Sequence, residues 1–474
     1  MKKILAKKQV VNLILIAATT KTLLLFIISP FAAVTAHDES GYAALIMNMS
    51  GKTLYELLFE LTPVNYRAGS SFYLPAILLH KLGVAPILSI RIVSSIMGLL
   101  CIYVLFSLLR PIMKKHGTSM NFHRVSLMLT ALYCFVPSHF YWSTVGLRES
   151  TVEFWTLLSF LLLYKVFEAS KVKFYWFAGI CVSIFCVFTS RPQIGWVQIT
   201  TLIIVSVFRI RRKTGRILLL ATLIGLLLGQ LATSDFVTRT SQTLIATSRS
   251  ESSEAEKNAT SQSESSEAEK IAATRLCKTE NQVVKVNEFQ YTCTIETITQ
   301  SLPSLKNPGR VIIAEAQSIP QRQKLNQEGA QSVIKTRFCP LEVHSSVDRV
   351  FCLMWNAPFT TYTFLFRPML GADITSSSSL FAAIENIFWL AAFLFVVIMF
   401  VQNRRLAFFS SLAPSLIFFS IYAVGAGASE GNMGTAFRHK SLILWVVILL
   451  LGSTIVATQQ RKAEQQGISG SSQE

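Results

Sequence analysis

The chain has 474 residues, of which 51% are hydrophobic and only 15% charged, and its mean hydropathy is +0.46. Its apolar residues come in long blocks, which is typical of a membrane protein and excludes an ordinary soluble domain. The net charge of +18 does not indicate nucleic acid, because residues 235–379 carry 15 Lys and Arg against 15 Asp and Glu. The whole excess, 29 against 11, lies elsewhere, mostly at the ends of apolar blocks.

Ten apolar blocks are long enough to be considered as membrane spans, since a bilayer core about 30 Å thick needs roughly 20 apolar residues per helix. The sequence therefore predicts an all-α polytopic membrane protein with about ten transmembrane helices. The blocks lie near residues 10–35, 83–109, 123–143, 151–168, 173–190, 192–208, 216–234, 379–401, 406–426 and 440–458.

Basic residues predict the orientation, because Lys and Arg in short loops stay on the cytoplasmic side. Lys2, Lys3, Lys7 and Lys8 precede the first block, and further basic residues fill every second gap and follow the tenth block. Ten spans and this charge rule agree, so both termini are predicted to be cytoplasmic, in the cell membrane. The first block is long and lacks a small-residue cleavage site, so we interpret it as an uncleaved anchor.

Two predicted outer loops are longer than a connection requires. The loop over 36–82 includes Tyr42–Met49 and Tyr55–Leu61, short helical segments suited to the membrane surface. It belongs to an N-terminal module of seven spans, residues 1–234. A C-terminal module of three spans, 379–458, is followed by a cytoplasmic tail, 459–474.

The second outer loop, 235–378, divides into two parts. Residues 248–270 contain the octet SESSEAEK twice, a low-complexity composition that predicts disorder. Residues 271–378 contain strand-like pieces, Gln282–Val286 and Gln290–Ile295, and could form a small mixed α/β insert.

The cysteines divide in the same way. Cys101, Cys134, Cys181 and Cys186 lie in predicted spans, where a thiol behaves as a small apolar group. The other four lie in the second outer loop, where disulfides persist, and three pairings are open. The simplest pairs Cys277 with Cys293 and Cys339 with Cys352. A metal site is less favoured because none of the four has C-x2-4-C spacing, and none is predicted.

A few charged residues fall at the predicted outer boundary, whereas span interiors carry almost none apart from Arg91 near an end. Positive residues are disfavoured on that side, so several of these need a reason. A bound phosphate group would explain the basic residues, since Arg binds phosphate through paired hydrogen bonds and Lys binds it as a point charge. The residues are Asp38, Glu39, Arg148 with Glu149, Arg191, Arg438, His439 and Lys440.

Acids and bases together suit one type of reaction. Moving a sugar from a lipid phosphate needs a carboxylate to take the acceptor proton and cations to stabilise the departing phosphate. Alternatives stay open for each residue. Asp38 could only cap a helix, Arg438 and Lys440 could only anchor a span end, and Arg148 with Glu149 could be a structural ion pair.

An ordered set of segments resembles the GT-C membrane glycosyltransferases, in the branch of the dolichyl-phosphate-mannose protein mannosyltransferases and the aminoarabinose transferases. DESGYA followed by LIMNM resembles the family's first-loop signature, and SSFYLPAILLHKLGV its aromatic-rich segment. RIVSSIMGLLCIYVLFSLLR resembles its second span, PSHFYWSTVGLRES the turn after its third, and NMGTAFRHK the approach to its last.

The resemblance implies a GT-C-like fold and a site on the outer face that uses a polyprenyl- or dolichyl-phosphate sugar. It matches Asp38 to the family's essential first-loop acid and Glu39 to its neighbour, and we take both as the candidate catalytic residues. Arg67 falls where other members have a His-Pro-Pro motif, which leaves the sugar open. Together with Tyr42 and Tyr73 it is a candidate substrate contact. The acid pair could hold a divalent cation but offers too few ligands to assert one.

The leading interpretation is therefore a glycosyltransferase. Its predicted partners are a polyprenyl-phosphate sugar, an extracytoplasmic glycan, lipid or protein acceptor, and membrane lipid. Asp38 would be the base, and Arg438, His439, Lys440, Arg191 and Arg148 would bind the donor phosphate. The alternatives are an outer-face polysaccharide polymerase or ligase, and a transporter or assembly scaffold.

Overall fold

The fold is that of a computed structural model. It describes residues 2–28, 37–59, 69–116, 122–169, 173–209, 212–229, 283–286, 289–292, 346–371, 373–374, 377–403, 406–430 and 433–465. The chain forms two compact units, one of Met1–Thr233 with Ile319–Glu474 and one of Ser234–Ser318. The two predicted groups of spans thus share one unit.

The first unit is helical throughout its described part. Its N-terminal half contains α1 (Lys2–Ile28), α2 (His37–Ser50), α3 (Leu54–Phe59), α4 (Ser70–Lys81), α5 (Pro86–His116), α6 (Phe122–Phe135), α7 (Pro137–Trp142), α8 (Glu149–Glu168), α9 (Phe174–Ser190), α10 (Pro192–Phe208) and α11 (213–229). Its C-terminal half contains α12 (Ser346–Phe366), α13 (Ser377–Asn403), α14 (Leu406–Ser429) and α15 (Met433–Gln465).

Six of these helices contain a segment long and apolar enough to cross a membrane, which identifies an integral membrane protein. The segments are Lys8–Leu25, Pro86–Met113, Glu149–Glu168, Ser379–Met399, Leu412–Ser429 and Gly434–Gln459. Every predicted block falls on a helix, but the other four are shorter. Phe122–Phe135, Phe174–Ser190 and Pro192–Phe208 are apolar helices of 10–17 residues, and α11 is described over 213–229. The block 123–143 is divided because Pro137, which has no N–H to donate, starts a new helix.

The C-terminal helix α15 lies at the centre of the main core. Its apolar run is buried on all sides, as expected for a helix without a polar face. The fully buried Trp445 ring packs 5.0 Å from Phe160 of α8 and 5.9 Å from Phe418 of α14, between ring centroids. This packing ties the N-terminal and C-terminal helices together.

The first-loop helices pack against the start of α5. Both predicted short helices are confirmed, as α2 and α3, and α4 follows them. Ile46 of α2, Phe72 of α4 and Ile90 of α5 are fully buried in one cluster. The side chain of Ser71 also hydrogen-bonds Ser190 at the end of α9, with 2.5 Å between the hydroxyl oxygens. The loop is therefore part of the packed structure.

Helix α12 was not predicted, because its residues fall within the second outer loop. It packs along α14, where Phe364 lies 6.2 Å from Tyr422 between ring centroids. Cys352 on this helix is disulfide-bonded, whereas the four cysteines of the spans are free thiols. The predicted partners Cys277, Cys293 and Cys339 lie outside the described residues.

The second unit contains an antiparallel hairpin of β1 (Val283–Val286) and β2 (Phe289–Thr292). Its register pairs Val283 with Thr292 and Val286 with Phe289. Both predicted strands are thus present, over Val283–Val286 and Phe289–Thr292. The repeat at 248–270 lies outside the described residues.

Candidate functional site

Charged side chains from widely separated parts of the chain meet at one end of the helix bundle. Helix α8 begins at Glu149 and α9 returns to end at Ser190, so the hairpin of these helices brings Glu149 next to Arg191. Helix α14 ends at Ser429 and α15 starts at Met433, which brings Glu430 near His439. The start of α2 adds Asp38.

Asp38 and Arg438 are in direct contact although 400 residues separate them. Nη1 of Arg438 donates a hydrogen bond of 2.8 Å to Oδ2 of Asp38. The Asp38 side chain is 45% exposed and that of Arg438 is 16% exposed. Capping of α2 does not explain this long-range contact. An accessible carboxylate therefore forms an ion pair with a largely buried guanidinium group.

Glu149 is the buried centre of the cluster, with only 2% of its side chain exposed. Its Oε1 accepts a hydrogen bond from Nη2 of Arg191. The same oxygen lies 3.2 Å from Nε of Arg438 and 4.0 Å from Nε2 of His439. Within the described residues Glu149 forms no ion pair with its neighbour Arg148, so the predicted alternative of a local pair is not found.

Glu430 and His439 form the next contact, in which Oε1 of Glu430 is hydrogen-bonded to Nδ1 of His439. Burial acts to raise the pKa of Glu430, but the charge and hydrogen bond of His439, with Arg191 and Arg438, outweigh it and hold the pKa below its ordinary value. Glu430 is therefore an ionised carboxylate at neutral pH, on the opposite side of the His439 ring from Glu149.

Arg148 and two tyrosines line the side of the cluster formed by the first loop. The rings of Tyr42 and Tyr73 lie 5.5 Å apart between centroids, and both side chains interact electrostatically with Arg148. Burial raises the pKa of Tyr42 and of Tyr73, so both phenols stay protonated. Burial acts to lower the pKa of Arg148, but its charge interactions, among them the one with Glu149, hold the pKa above its ordinary value.

The cluster has polar atoms that are buried but make no hydrogen bond within the described part of the chain. Buried polar atoms are rarely left in this state, so their concentration indicates a place for a polar ligand or water. Both donors and acceptors are present. The atoms are Nε of Arg148, Nε of Arg191, Nε of Arg438, Oε2 of Glu149, Oε2 of Glu430 and Nε2 of His439.

Glu39 is directed away from this cluster. Its two oxygens accept hydrogen bonds of 2.8 and 2.9 Å from Arg91, and Oε1 also accepts one of 2.7 Å from the backbone N–H of Gly146. Both side chains are at most 2% exposed. This geometry corrects the prediction of a catalytic acid pair: Asp38 and Glu39 have different partners, and Glu39 has a structural contact.

Lys440 also points away from the predicted phosphate site. Its Nζ donates hydrogen bonds of 2.7 Å to Oδ1 of Asn386 and 2.8 Å to the carbonyl of Arg367. It borders a small, mostly apolar cavity lined by residues of α12, α13, α14 and α15. The geometry therefore assigns Lys440 to the junction of these helices and not to the Arg438 cluster.

Arg67 lies outside the described residues. Among the residues that are described, no group of three or more His, Cys, Asp or Glu is arranged to hold a metal ion.

Several buried ionisable residues were missed by the sequence-based prediction. Lys21, Glu153 and Glu385 lie inside membrane-spanning segments, which corrects the expectation that Arg91 is nearly alone. Glu153 accepts a hydrogen bond of 2.6 Å from Tyr133 and lies 3.1 Å from Nδ1 of His139. An acid or Lys within an apolar block is itself a signal of a functional or structural partner. Glu430 was also missed, but it lies just after α14 and outside the apolar block.

Comparison with known proteins yields no significant match to a family model, to a curated protein or to a solved structure.

Proposed function

We propose that this protein is a membrane glycosyltransferase that moves a sugar from a polyprenyl-phosphate carrier to an extracytoplasmic acceptor. The observation that carries the proposal is the 2.8 Å contact between Asp38 and Arg438. It joins an accessible carboxylate to a cluster of three arginines and a histidine. The GT-C-like fold, the ten spans and the outer location of the cluster are parts of the same proposal.

The chemistry follows from these groups. The acceptor hydroxyl attacks the anomeric carbon of the sugar, and Asp38 takes the hydroxyl proton. The bond between that carbon and the phosphate oxygen breaks, and its electron pair stays on the phosphate. Arg438, Arg191 and Arg148 stabilise this charge. The new glycosidic bond and the free lipid phosphate balance the atoms.

Charge balance explains how the base is released. Without substrate, Asp38, Glu149 and Glu430 offset the three arginines. A lipid phosphate that binds Arg438 competes with Asp38 for the same guanidinium, so Asp38 is freed when the donor is in place. The buried Nε–H groups of the arginines can donate to phosphate, and the open oxygens of Glu149 and Glu430 can accept from sugar hydroxyls.

The Asp38→Asn variant tests the role of the base. We expect turnover with short-chain polyprenyl-phosphate sugars to fall by about 10³-fold, within the usual contribution of a general base. Binding of dodecyl phosphate should be unchanged or tighter, because Arg438 loses a competing carboxylate. Purified protein in dodecyl maltoside is suitable for both measurements. Glu56→Gln, a half-buried acid on α3 outside the cluster, is the control, and wild-type turnover of Asp38→Asn would eliminate Asp38 as the base.

A polymerase or ligase would use the same arginines on a diphosphate-linked oligosaccharide. Supplying the wild-type protein with a monosaccharide-phosphate lipid and then with a diphosphate-linked oligosaccharide distinguishes the two. Transfer only from the second donor would replace the proposed function with this one.

One observation favours transport as a second candidate. Lys21, His139 and Glu153 are buried together within the bundle, and polar groups inside spans are typical of substrate pathways. Glu153 lies one helical turn from Glu149, at the same end of α8, which fits support of the site better than a path across the bilayer. Movement of a lipid phosphate between leaflets of proteoliposomes, without sugar transfer, would favour transport.

A further inference from the structure

Tyr422 of α14 and Glu430, directly after it, hold His439 of α15 in a fixed orientation. Glu430 is a carboxylate and can only accept, so Nδ1 of His439 carries the hydrogen of their bond. The hydroxyl of Tyr422 donates a hydrogen bond of 3.2 Å to the backbone carbonyl of His439. The side chains of Glu430 and His439 are 8% and 13% exposed. These two hydrogen bonds therefore fix both the ring and the backbone of His439.

The opposite nitrogen of the ring faces the arginine cluster. Nε2 of His439 lies 4.0 Å from Oε1 of Glu149 and has no hydrogen-bond partner among the described residues. Glu149 itself, on α8, already accepts from Arg191 and contacts Arg438. Asp38 lies beyond Arg438, on α2. A ligand that bridges the guanidinium groups would thus reach Nε2 as well.

We infer that Glu430 positions His439 so that Nε2 contacts the phosphate group of a phosphate monoester bound by the arginines. His439 is the group that touches the ligand, and Glu430 is its positioning residue. The sugar-transfer role of this contact rests on the proposed function, whereas phosphate binding can be measured by itself.

The chemistry of the pair matches an anionic ligand. With Nδ1–H donated to Glu430, a protonated Nε2 donates to a phosphate oxygen, and such charge-assisted bonds are stronger than neutral ones. The Glu430 carboxylate balances the charge of the ring, as partners behind a ligating histidine do in metal sites. Loss of either residue should therefore weaken phosphate binding.

A double-mutant cycle tests whether Glu430 acts through His439. Dodecyl phosphate and inorganic phosphate are titrated in parallel against the full chain in dodecyl maltoside. We expect Glu430→Gln and His439→Gln each to weaken binding by about tenfold, the size of one charge-assisted hydrogen bond. In the His439→Gln background, Glu430→Gln should cost less than about twofold, because the two act as one unit. Coupling in either arm supports the inference, and the tighter arm shows whether the alkyl chain contributes.

The control and a second readout separate positioning from general damage. His123→Gln changes a histidine whose ring lies 3.1 Å from Gln9, away from the cluster, and should bind as wild type. The ¹⁵N signals of the His439 ring should shift on addition of dodecyl phosphate in the wild type and much less in Glu430→Gln. Wild-type affinity of Glu430→Gln, or losses that multiply in the double variant, would overturn the inference. Coupled losses without sugar transfer from any donor would instead count against the proposed function alone.

Discussion

Asp38 and Glu39 are adjacent on α2 but contact different partners. Asp38 is accessible and contacts Arg438, whereas Glu39 is buried and contacts Arg91 and Gly146. On a helix, adjacent side chains point about 100° apart, so two acids in sequence rarely share one partner. The pattern Asp-Glu predicted that acids matter here. The helix orientation of α2 decides which of them faces the arginines.

The Glu39–Arg91 pair gives a stability prediction. Glu39→Gln removes the carboxylate from a buried guanidinium, and we expect a loss of about 3 kcal/mol, since breaking one side of a buried ion pair is strongly destabilising. The double variant Glu39→Leu with Arg91→Met, which replaces both partners by apolar residues, should recover part of the lost stability. Thermal unfolding, monitored by size-exclusion chromatography, measures the stability of both variants. A wild-type Tm for Glu39→Gln would contradict the structural role of this pair.

At the scale of helices, the contact between α12 and α14 is the feature that sequence periodicity missed. Helix α12 falls within the residues assigned to the second outer loop, and its apolar residues are interrupted by polar ones and by Pro358. The structure packs its Thr360 and Phe364 side against α14, where Gly427 allows the two backbones to approach. A glycine within an apolar helix signals such an approach, but nothing in the sequence names the partner helix.

Gly427→Ala tests this crossing. Its Cβ would lie 2.8 Å from the carbonyl oxygen of Thr360 and 2.9 Å from the backbone nitrogen of Thr361, so one backbone has to move. We expect a loss of about 1–3 kcal/mol, measured by thermal unfolding. Gly425→Ala is the matched control, because its Cβ meets no atom within 4 Å in the described part of the chain. It should be neutral or stabilising by up to about 1 kcal/mol. Equal losses in the two variants would argue against a close crossing.

At the scale of the whole molecule, the number of spans depends on the four helices outside the six long segments, which are α6, α9, α10 and α11. Helices α9 and α10 have 17 residues each, about 25 Å at 1.5 Å per residue, and Phe122–Phe135 is shorter. Yet α9 runs back along α8, since Glu149 and Arg191 meet at one end of this hairpin. Bilayers thin locally around short spans, which is consistent with crossing by α9.

Cysteine labelling distinguishes ten spans from six. Gly51 and Arg212 are both exposed and suit single Cys substitutions, with the parent chain as background. Ten spans place five crossings between them, so Gly51→Cys should react with a membrane-impermeant maleimide in intact cells and Arg212→Cys only after permeabilisation. The six long segments alone place two crossings between them, and labelling from the same side would show that the shorter helices do not cross.

The sequence by itself determined that the chain is a helical membrane protein, where most of its described helices lie, and that Asp38, Arg148, Arg191, Arg438 and His439 are candidates for the site. These follow from local hydropathy and charge, which each segment carries in its own residues. Only the tertiary structure decided that Asp38 contacts Arg438 and that Glu149 and Glu430 complete the cluster. It also decided that the side chains of Glu39 and Lys440 point away from the cluster. Those outcomes depend on how helix ends far apart in sequence meet, and no short segment contains that information.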